Sequence, residues 1–190
     1  MLDFEEVYKE FHPKILRYLS RMAGEEAAEG IAQETFVKVN RGLGHFKGES
    51  KLSTWVYRIA TNAALDRLRS PALKRTVELP MLDEGGEVED RDAWSDEKKP
   101  APDQAVIRGE MNECIREFIE KLPPDFRAVM VLSEIEGLKN SEIADILGIS
   151  LDNVKIRLHR ARGGLKKKLE EGCSFYQDER NTLACDRKQK

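Results

Sequence analysis

The stretch PPDFRAVMVLSEIEGLKNSEIADILGISLDNVKIRLHRARGGLKKK, from Pro123 to Lys168, decides the fold. Its centre is a short apolar helix pattern from Ser141 to Leu147, followed by Gly148-Ile149-Ser150 and by a second helix pattern that begins at Leu151. Glycine ends helices because it adopts the left-handed conformation easily, and serine begins them by capping free amide groups. The order of these residues therefore predicts a helix-turn-helix.

The second helix of this motif has one apolar face and a strongly basic remainder. Its apolar residues recur every three or four positions, which indicates a single buried stripe: Leu151, Val154, Leu158, Ala161 and Leu165. The polar residues that this spacing leaves off the stripe are Asn153, Lys155, Arg157, His159, Arg160 and Arg162. From Leu151 to Lys168 there are seven Lys/Arg residues and one acid, Asp152. Such a helix suits the major groove of DNA, where Arg and Lys reach base edges and phosphates.

The net charge of the whole chain does not show this basic character. The chain has 190 residues and a formal net charge of −3, because the segment Thr76 to Asp103 holds ten acids and only three bases. This segment contains Gly85-Gly86 and three prolines but little apolar periodicity, so we interpret residues 72–103 as a flexible acidic linker. The chain has no apolar run of about twenty residues and no signal-peptide pattern at its start, which predicts a cytoplasmic protein without membrane insertion.

Helical periodicity dominates the N-terminal part. A first stripe runs from Phe4 to Met22, with Asp3 as a candidate N-cap and Pro13 as a source of a kink or break near His12. A second helix is predicted by a cleaner stripe, namely Ala28, Ile31, Ala32, Thr35, Phe36, Val39 and Leu43.

A third basic and aromatic segment follows. Residues 45–50 indicate a loop, and residues 52–69 a helix in which bases outnumber acids, with Asp66 the one acid. Single-stranded nucleic acid needs a π surface for an unstacked base and a cation for its phosphate. The interleaving of Phe46, Trp55 and Tyr57 with basic residues provides both. Trp55 alone is as typical of a core position as of a base platform, whereas Phe36 is more typical of the core.

The second half opens with a predicted helix from Gln104 to Leu122, on whose apolar stripe Cys114 is a small core residue. A helix from Asp125 to Glu136, ended by Gly137, precedes the helix-turn-helix. Cys173 and Cys185 lie in a C-terminal segment that we interpret as a tail without fixed structure. A metal or redox role for the two cysteines is the alternative, although two ligands do not close a zinc site.

Two separate blocks resemble one family. Residues 122–169, LPPDFRAVMVLSEIEGLKNSEIADILGISLDNVKIRLHRARGGLKKKL, resemble region 4 of the extracytoplasmic-function (ECF) sigma factors, the smallest sigma-70-type factors. Residues 31–69, IAQETFVKVNRGLGHFKGESKLSTWVYRIATNAALDRLR, resemble their region 2. One helix-turn-helix is a weak signal, but two blocks in this order, with an acidic segment between them, are specific.

The resemblance implies an all-α protein of two small helical domains. Residues 1–71 would form the region 2 domain, 72–103 the linker, 104–172 the region 4 domain, and 173–190 a Cys-containing tail. Such a protein directs core RNA polymerase to promoters: region 2 binds polymerase and recognises and melts the minus 10 element, and region 4 reads the minus 35 element as a duplex. The implied partners are core RNA polymerase, duplex and melted promoter DNA, and an anti-sigma factor, and the free protein is expected to be a monomer.

The resemblance also assigns residues by position. For polymerase binding these are Gln33, Glu34, Lys38 and Arg41. For minus 10 recognition and melting they are Phe46, Lys47, Gly48, Glu49, Ser50, Lys51, Ser53, Trp55, Tyr57, Arg58, Asn62 and Arg67. For minus 35 recognition they are Ser150, Asn153, Lys155, Arg157 and Arg160.

This chain departs from the family pattern at several positions. Gly30 stands where an acid is frequent, and Asn40 where an aromatic residue is frequent, within the polymerase-binding helix. Lys139 replaces the Ser or Thr of a capping box with Glu142, so we expect Asn140 to cap instead. Ile156 replaces a serine in the recognition helix, where it can touch a thymine methyl or cover a neighbour.

Three other hypotheses are weaker. A stand-alone helix-turn-helix regulator would not need residues 46–69. A nuclease that used Asp66 or the linker acids would require paired carboxylates on fixed elements, which the sequence lacks, so no catalytic residue is predicted. An interaction protein with a nucleic-acid-mimicking linker does not explain the basic segments on either side. His12, His45 and His159 have no ligand spacing, and we expect neither a metal nor a cofactor.

Overall fold

The computed structural model describes residues 2–69, 117, 119–177 and 183–188. Three long helices form the N-terminal unit: α1 (Phe4–Ala23), α2 (Glu25–Leu43) and α3 (Leu52–Arg69). The C-terminal unit contains α4 (Pro124–Met130), a π-helical turn (Val131–Ile135), α5 (Asn140–Leu147), α6 (Leu151–Gly172) and a hairpin of β1 (Cys173–Gln177) and β2 (Leu183–Arg187). The expected linker 72–103 and most of the expected helix 104–122 lie outside the described residues.

The apolar stripes of the N-terminal unit form its core. All seven residues predicted for the α2 stripe are buried, Phe36 among them. Of the stripe predicted for α1, Phe4 at its start is half-buried, and the others are buried: Val7, Phe11, Ile15, Tyr18 and Met22. The Tyr18 hydroxyl lies 2.8 Å from the Thr61 hydroxyl, which satisfies both groups inside the core. The periodicity of the sequence therefore predicted this packing correctly.

Pro13 does not break α1. The helix runs without interruption from Phe4 to Ala23. The prediction of a helix break near His12 is therefore wrong. The ring of a helical proline removes one hydrogen bond from its turn. Here Pro13 is exposed while the flanking Phe11 and Ile15 are buried, and their packing holds the helix together.

The helix-turn-helix has the predicted turn. Gly148 takes the left-handed conformation, with φ of 64°, and its amide donates to the Ala144 carbonyl. Ser150 caps α6, and its hydroxyl accepts from the Asn153 amide at 3.3 Å. The buried residues Val154, Leu158 and Ala161 fix α6 to the core. Leu151, however, is 44% exposed, so the apolar stripe begins one turn later than predicted.

The start of α5 differs from the expectation for Asn140. The N-cap position is Lys139, whose side chain cannot accept a hydrogen bond, and Asn140 is already helical. The Glu142 carboxylate accepts from the Lys139 amide at 3.1 Å. The acidic half of a capping box is thus present without its Ser or Thr, because a Glu at this position can satisfy the free amide alone.

The segment from Asp125 to Glu136 is helical as predicted, but its last turn is wider than an α-helix. The amide of Glu136 donates to the Val131 carbonyl five residues earlier, at 3.0 Å. Gly137 follows with φ of 65°, which ends the helix at the predicted residue.

The C-terminal segment is ordered into a hairpin, so the expectation of a tail without fixed structure is wrong for the strands. Strands β1 and β2 pair antiparallel, with Phe175 opposite Cys185 and Cys173 opposite Arg187. Lys188 ties the hairpin to the end of α6, because its amide donates to the Gly172 carbonyl and its ammonium to the Glu170 carbonyl. Cys173 is buried. Aromatic residues in β1 favour the extended conformation.

The two units share one continuous apolar core. Helix α3 of the N-terminal unit packs against α5 and α4 of the C-terminal unit, and α1 packs against α4 and the π-helical turn. The Arg127 guanidinium reaches from α4 to the end of α1, where it donates to the Met22 carbonyl at 2.7 Å. This contact satisfies a carbonyl that the helix leaves unpaired at its C-terminus.

Gly148 and Gly30 provide a stability test of the turn. Gly148→Ala should lower the free energy of unfolding by about 1 kcal/mol, because alanine is strained at positive φ. Gly30→Ala is the matched control: Gly30 is exposed within α2, and a Cβ there meets no atom within 4 Å. Gly30→Ala should raise the free energy of unfolding by roughly 0.5–1 kcal/mol, because alanine favours the helix more than glycine does. Urea unfolding measures both changes in the free energy of unfolding. Changes of the same sign for the two substitutions would contradict the turn geometry.

Candidate nucleic-acid interface

The loop before α3 and the first turns of α3 enclose a cavity of about 470 Å³. Of the residues predicted for minus 10 recognition, six line it: Phe46, Lys47, Glu49, Ser50, Trp55 and Arg58. His45 and Asp145 complete the lining, the latter from the C-terminal unit. The structure thus brings half of the predicted residues into one concave, polar and aromatic site.

Phe46 and Trp55 form the aromatic wall of this cavity. Their ring centroids lie 5.1 Å apart with a tilt of 43°, and both side chains are half-buried. Trp55 also packs against Gly42 at the end of α2, where a Cβ would stand 2.9 Å from the indole. One side of the Trp55 ring therefore packs on the domain as a core residue does, while the residue also lines the cavity; its role as a base platform stays a prediction.

The remaining minus 10 residues do not all face this cavity. Gly48 and Lys51 are exposed beside it, and Ser53 is half-exposed at the start of α3. Asn62 lines a second crevice of about 360 Å³, together with Arg58 and residues 144–149. Arg67 is exposed further along α3. The predicted minus 10 residues thus extend from the loop along α3 rather than around one pocket.

Tyr57 departs from the sequence expectation. It is 6% exposed, and its hydroxyl donates to the Glu136 carboxylate at 2.7 Å. Burial and this hydrogen bond raise the pKa of the Tyr57 phenol well above its usual range. Its ring meets Tyr18 at 5.3 Å in an edge-on contact, so in this structure Tyr57 faces the core and not an incoming base.

The recognition helix α6 presents its predicted residues on two flanks. At about 100° per residue, Asn153, Arg157 and Arg160 share one flank, whereas Lys155 lies on the other. Ser150, which caps the helix, is exposed, as are Asn153 and Arg160, while Lys155 and Arg157 are half-exposed. Ile156 is 41% exposed between the flanks, on the side opposite the buried stripe. The helix thus offers a convex polar surface with one apolar side chain at its centre.

The residues predicted for polymerase binding lie on the outer face of α2. Gln33, Glu34, Lys38 and Arg41 are all exposed. Lys38 pairs with Glu34 at 2.6 Å, one helical turn away. Val37 is 49% exposed beside them. The sequence analysis did not assign Val37 to this site, and a single exposed apolar residue is common on protein surfaces.

Several contacts between the two units were not predicted from the sequence. Lys51 donates to Glu142 at 2.8 Å, and the Arg58 Nε donates to the Asp145 carbonyl at 2.8 Å. The hydrogen bond from Lys51 is the main cause that lowers the pKa of the Glu142 carboxyl, and the Lys139 amide adds to it. These partners are about ninety residues apart in sequence, so no local pattern identifies them.

Comparison with known proteins agrees with this architecture. Residues 7–73 match the family described as Sigma-70 region 2, and residues 112–163 match the family described as Sigma-70, region 4. The chain is 36% identical to the ECF RNA polymerase sigma factor SigW of Bacillus subtilis, over 89% of this chain and 88% of that protein. It is 34% identical to the RNA polymerase sigma factor YlaC of the same bacterium, over 88% of this chain and 92% of that protein.

A solved structure shares the fold. The sigma factor RpoE from Bartonella quintana, crystallised with the anti-sigma factor NepR, superposes with a TM-score of 0.62 at 20% identity. The match covers 88% of this chain and 97% of that one.

The fold and the two regions define a promoter-specificity subunit of bacterial RNA polymerase. The chain belongs to the ECF group of sigma-70-type sigma factors. The presence of region 2 beside region 4 separates it from a stand-alone helix-turn-helix regulator.

Two negative findings concern the described residues alone. Among them, no helix is both long and apolar enough to cross a bilayer. In the same part of the chain, no three His, Cys, Asp or Glu side chains are grouped as metal ligands would be.

Gly42 and Gly44 test the packing of the aromatic wall. Gly42→Ala should displace the Trp55 indole, because the new methyl would stand 2.9 Å from it. Trp94→Phe removes the other tryptophan of the chain, so that fluorescence reports on Trp55 alone. In that background, Gly42→Ala should shift the emission maximum of Trp55. If Trp55 stacks on a promoter base, DNA melting should also fall about tenfold, the effect expected from the loss of one base stack. Gly44→Ala is the control, since a Cβ there meets no atom within 4 Å. Equal behaviour of the two variants would show that Trp55 is not held by this contact.

Proposed function

We propose that the cavity beside Phe46 and Trp55 captures an unstacked promoter base during melting of the minus 10 element. The observation that supports this role is the convergence of an aromatic wall, small polar groups and cations in one site of about 470 Å³. An extruded base needs a π surface to replace its lost stacking, and hydrogen-bonding groups to read its Watson–Crick edge. Phe46 and Trp55 provide the first, and Ser50 and the loop backbone from Lys47 to Glu49 provide the second.

The cations around the cavity hold the strand that carries this base. Lys47 and Lys51 flank the loop, and Arg58 and Arg67 continue along α3. Phosphates track such a row because each cation releases condensed counterions from the backbone. Ser53 and Asn62 add hydrogen bonds to sugar or phosphate, which position the strand without reading its sequence.

Helix α6 reads the minus 35 element in the major groove. Asn153 and Arg160 face base edges, and Arg157 and Lys155 hold the phosphates on the two sides of the groove. The Ser150 hydroxyl caps the helix, and the first-turn amide groups that the cap leaves unpaired face a phosphate of the DNA backbone. Ile156, at the centre of the outward face, contacts a thymine methyl.

Region 2 also docks on the polymerase. Gln33, Glu34, Lys38 and Arg41 form the polar contact on α2, and Val37 adds an apolar centre to it. The protein contributes no catalytic group, since RNA synthesis is the chemistry of the polymerase. Its site of action is the cytoplasm, where core polymerase and DNA meet.

An anti-sigma factor controls the protein by covering one of these surfaces. The Bartonella quintana RpoE fold was crystallised with such a partner. The domain limits are 1–71 and 104–172, with the acidic segment 72–103 between them, so that such a partner would meet a surface of either domain.

Run-off transcription with purified core polymerase and a cognate promoter tests the proposal. We expect a sigma-dependent transcript from the wild-type chain and none from core polymerase alone. Strong duplex binding by the protein alone, without any sigma-dependent transcript, would contradict the proposed role in transcription initiation.

Two substitutions distinguish minus 35 binding from melting of the minus 10 element. Trp55→Ala should reduce permanganate reactivity of minus 10 thymines about tenfold or more while closed complexes persist, because a base stack is worth roughly 1–3 kcal/mol. Arg160→Ala should weaken closed-complex formation by a similar factor, since a good base contact contributes roughly 1–3 kcal/mol. Arg162→Ala is the control on the same helix, because Arg162 pairs with Glu134 within the C-terminal unit at 2.7 Å. Equal losses at both steps for Trp55→Ala and Arg160→Ala would refute this division of labour.

A further inference from the structure

Aromatic rings of α1 and α2 meet in one cluster. Tyr8 stacks on His12, with ring centroids 4.6 Å apart and a tilt of 28° between the rings, and it meets Phe36 of α2 edge-on at 4.8 Å. The Phe4 ring lies 5.9 Å from that of Tyr8. Phe4, Tyr8 and His12 follow one another one helical turn apart, so they form a line along α1 against which Phe36 packs.

Tyr8 is the exposed member of this cluster. It is 41% exposed, whereas Phe36 is buried and Phe4 and His12 are half-buried. The other two tyrosines of the described helices are buried and hydrogen-bonded. A side chain that its neighbours already hold in place loses little conformational entropy when it binds a partner, and tyrosine is enriched among the residues that dominate protein interfaces. Tyr8 thus has the properties of an interface anchor.

The cluster borders the outer face of α2. Phe36 is the last buried position on its side of that helix. At about 100° per residue, Asn40 and Gln33 follow it at about 40° and 60° around the helix, and Val37 follows at about 100°. All three are exposed. Gln33 belongs to the residues assigned to polymerase binding, so Tyr8 and that surface meet at Phe36.

Tyr8 also lies at the height of these residues. Helices α1 and α2 pack against each other and are joined at Gly24, which makes them antiparallel. Tyr8 and Asn40 are equally far in sequence from this glycine. Because both helices advance about 1.5 Å per residue, positions equally far from the turn lie side by side. Tyr8 therefore stands beside the segment of α2 that carries Val37 and Arg41.

The two helices together present a mixed apolar and polar face. Tyr8 and Val37 supply its exposed apolar area, and Gln33, Asn40 and Arg41 supply its polar groups. One exposed apolar residue is common on protein surfaces, but an ordered aromatic ring among polar side chains is typical of a protein interface. The continuity of this face with the α2 surface favours core polymerase as the partner that covers it.

We propose that Tyr8 anchors the docking of core polymerase, so that the docking surface spans α1 as well as α2. The proposal rests on the proposed function, which assigns the outer face of α2 to polymerase. Apolar side chains of polymerase pack on the exposed part of Tyr8 and on Val37. Polar side chains of polymerase meet Gln33 and Asn40 between them.

The test compares substitutions of Tyr8 in the full chain. Binding to purified core polymerase is measured by biolayer interferometry, with the chain immobilised through a C-terminal tag. Tyr8→Ala and Tyr8→Leu should each weaken binding about fivefold or more, as for the truncation of an interface anchor. Tyr8→Phe retains the ring and should bind like wild type. Leucine keeps an apolar contact with Phe36 and favours the helix, so Tyr8→Leu decides if Tyr8→Ala loses helicity.

Transcription separates docking from a structural role of Tyr8. In a run-off assay, Tyr8→Leu should raise the sigma concentration that gives half-maximal transcript, because less polymerase is occupied at each concentration. The maximal transcript at saturating sigma should stay at the wild-type level. A lowered maximum with unchanged polymerase affinity would overturn the proposal, since Tyr8 would then act after docking.

Tyr176→Ala is the matched control. Tyr176 is 46% exposed and lies in β1 of the C-terminal hairpin, away from α1 and α2. The variant should bind polymerase like wild type. Equal weakening by Tyr176→Ala and Tyr8→Ala would overturn the proposal, because the loss would then not depend on the place of Tyr8.

Arg41→Ala, measured in the same binding assay, distinguishes this proposal from the proposed function. Weaker binding for Arg41→Ala with wild-type binding for Tyr8→Leu would overturn the extension to α1 and leave the α2 surface in place. Wild-type binding for both would refute the assignment of α2 as well. A dimer of the wild-type chain in sedimentation velocity that Tyr8→Leu dissociates would assign the cluster to a second copy of the chain and overturn the proposal.

Discussion

The arrangement of the two units depends on the contacts that the buried Glu136 carboxylate makes with the N-terminal unit. This carboxylate has little access to water, so its charge is supported by the Tyr57 hydroxyl and the Arg21 guanidinium of the other unit. Removing one partner of such a buried pair typically costs about 3–5 kcal/mol, far more than an exposed ion pair contributes. The π-helical turn that precedes Glu136 and the glycine that follows it set where this carboxylate stands. The contacts of Lys51, Arg58 and Arg69 form around this fixed point.

Much of the fold followed from local patterns in the sequence. The α2 stripe from Ala28 to Leu43 and the turn from Gly148 to Ser150 were predicted residue by residue, because side-chain periodicity and capping act within a few positions. Pro13 was predicted wrongly, since tertiary packing on both sides outweighed one lost hydrogen bond. The hairpin after α6 was missed because its strands are short and their polar residues are also typical of a tail.

The candidate site was predicted in composition more than in geometry. Family resemblance gave the residues of the loop and of α3, and the structure gathers six of them around one cavity. It also turns Tyr57 inward, which the sequence could not indicate, because the burial of Tyr57 depends on Glu136 at a separation of 79 residues. The same holds for Asp125 and Glu142: each is an ordinary surface residue of its own helix, and only the packing of the other unit brings a cation to it.

The pairing of Lys51, Arg58 and Arg69 with oxygens of their own chain bears on how such a protein behaves amid a chromosome. Any DNA-binding protein faces a large excess of nonspecific sites, roughly 10⁶–10⁹ per genome, and nonspecific binding comes almost entirely from contacts between cations and phosphates. Cations that are already neutralised release few counterions and gain little from a random stretch of duplex. While these three side chains are paired within the chain, they therefore add little to its affinity for DNA of arbitrary sequence.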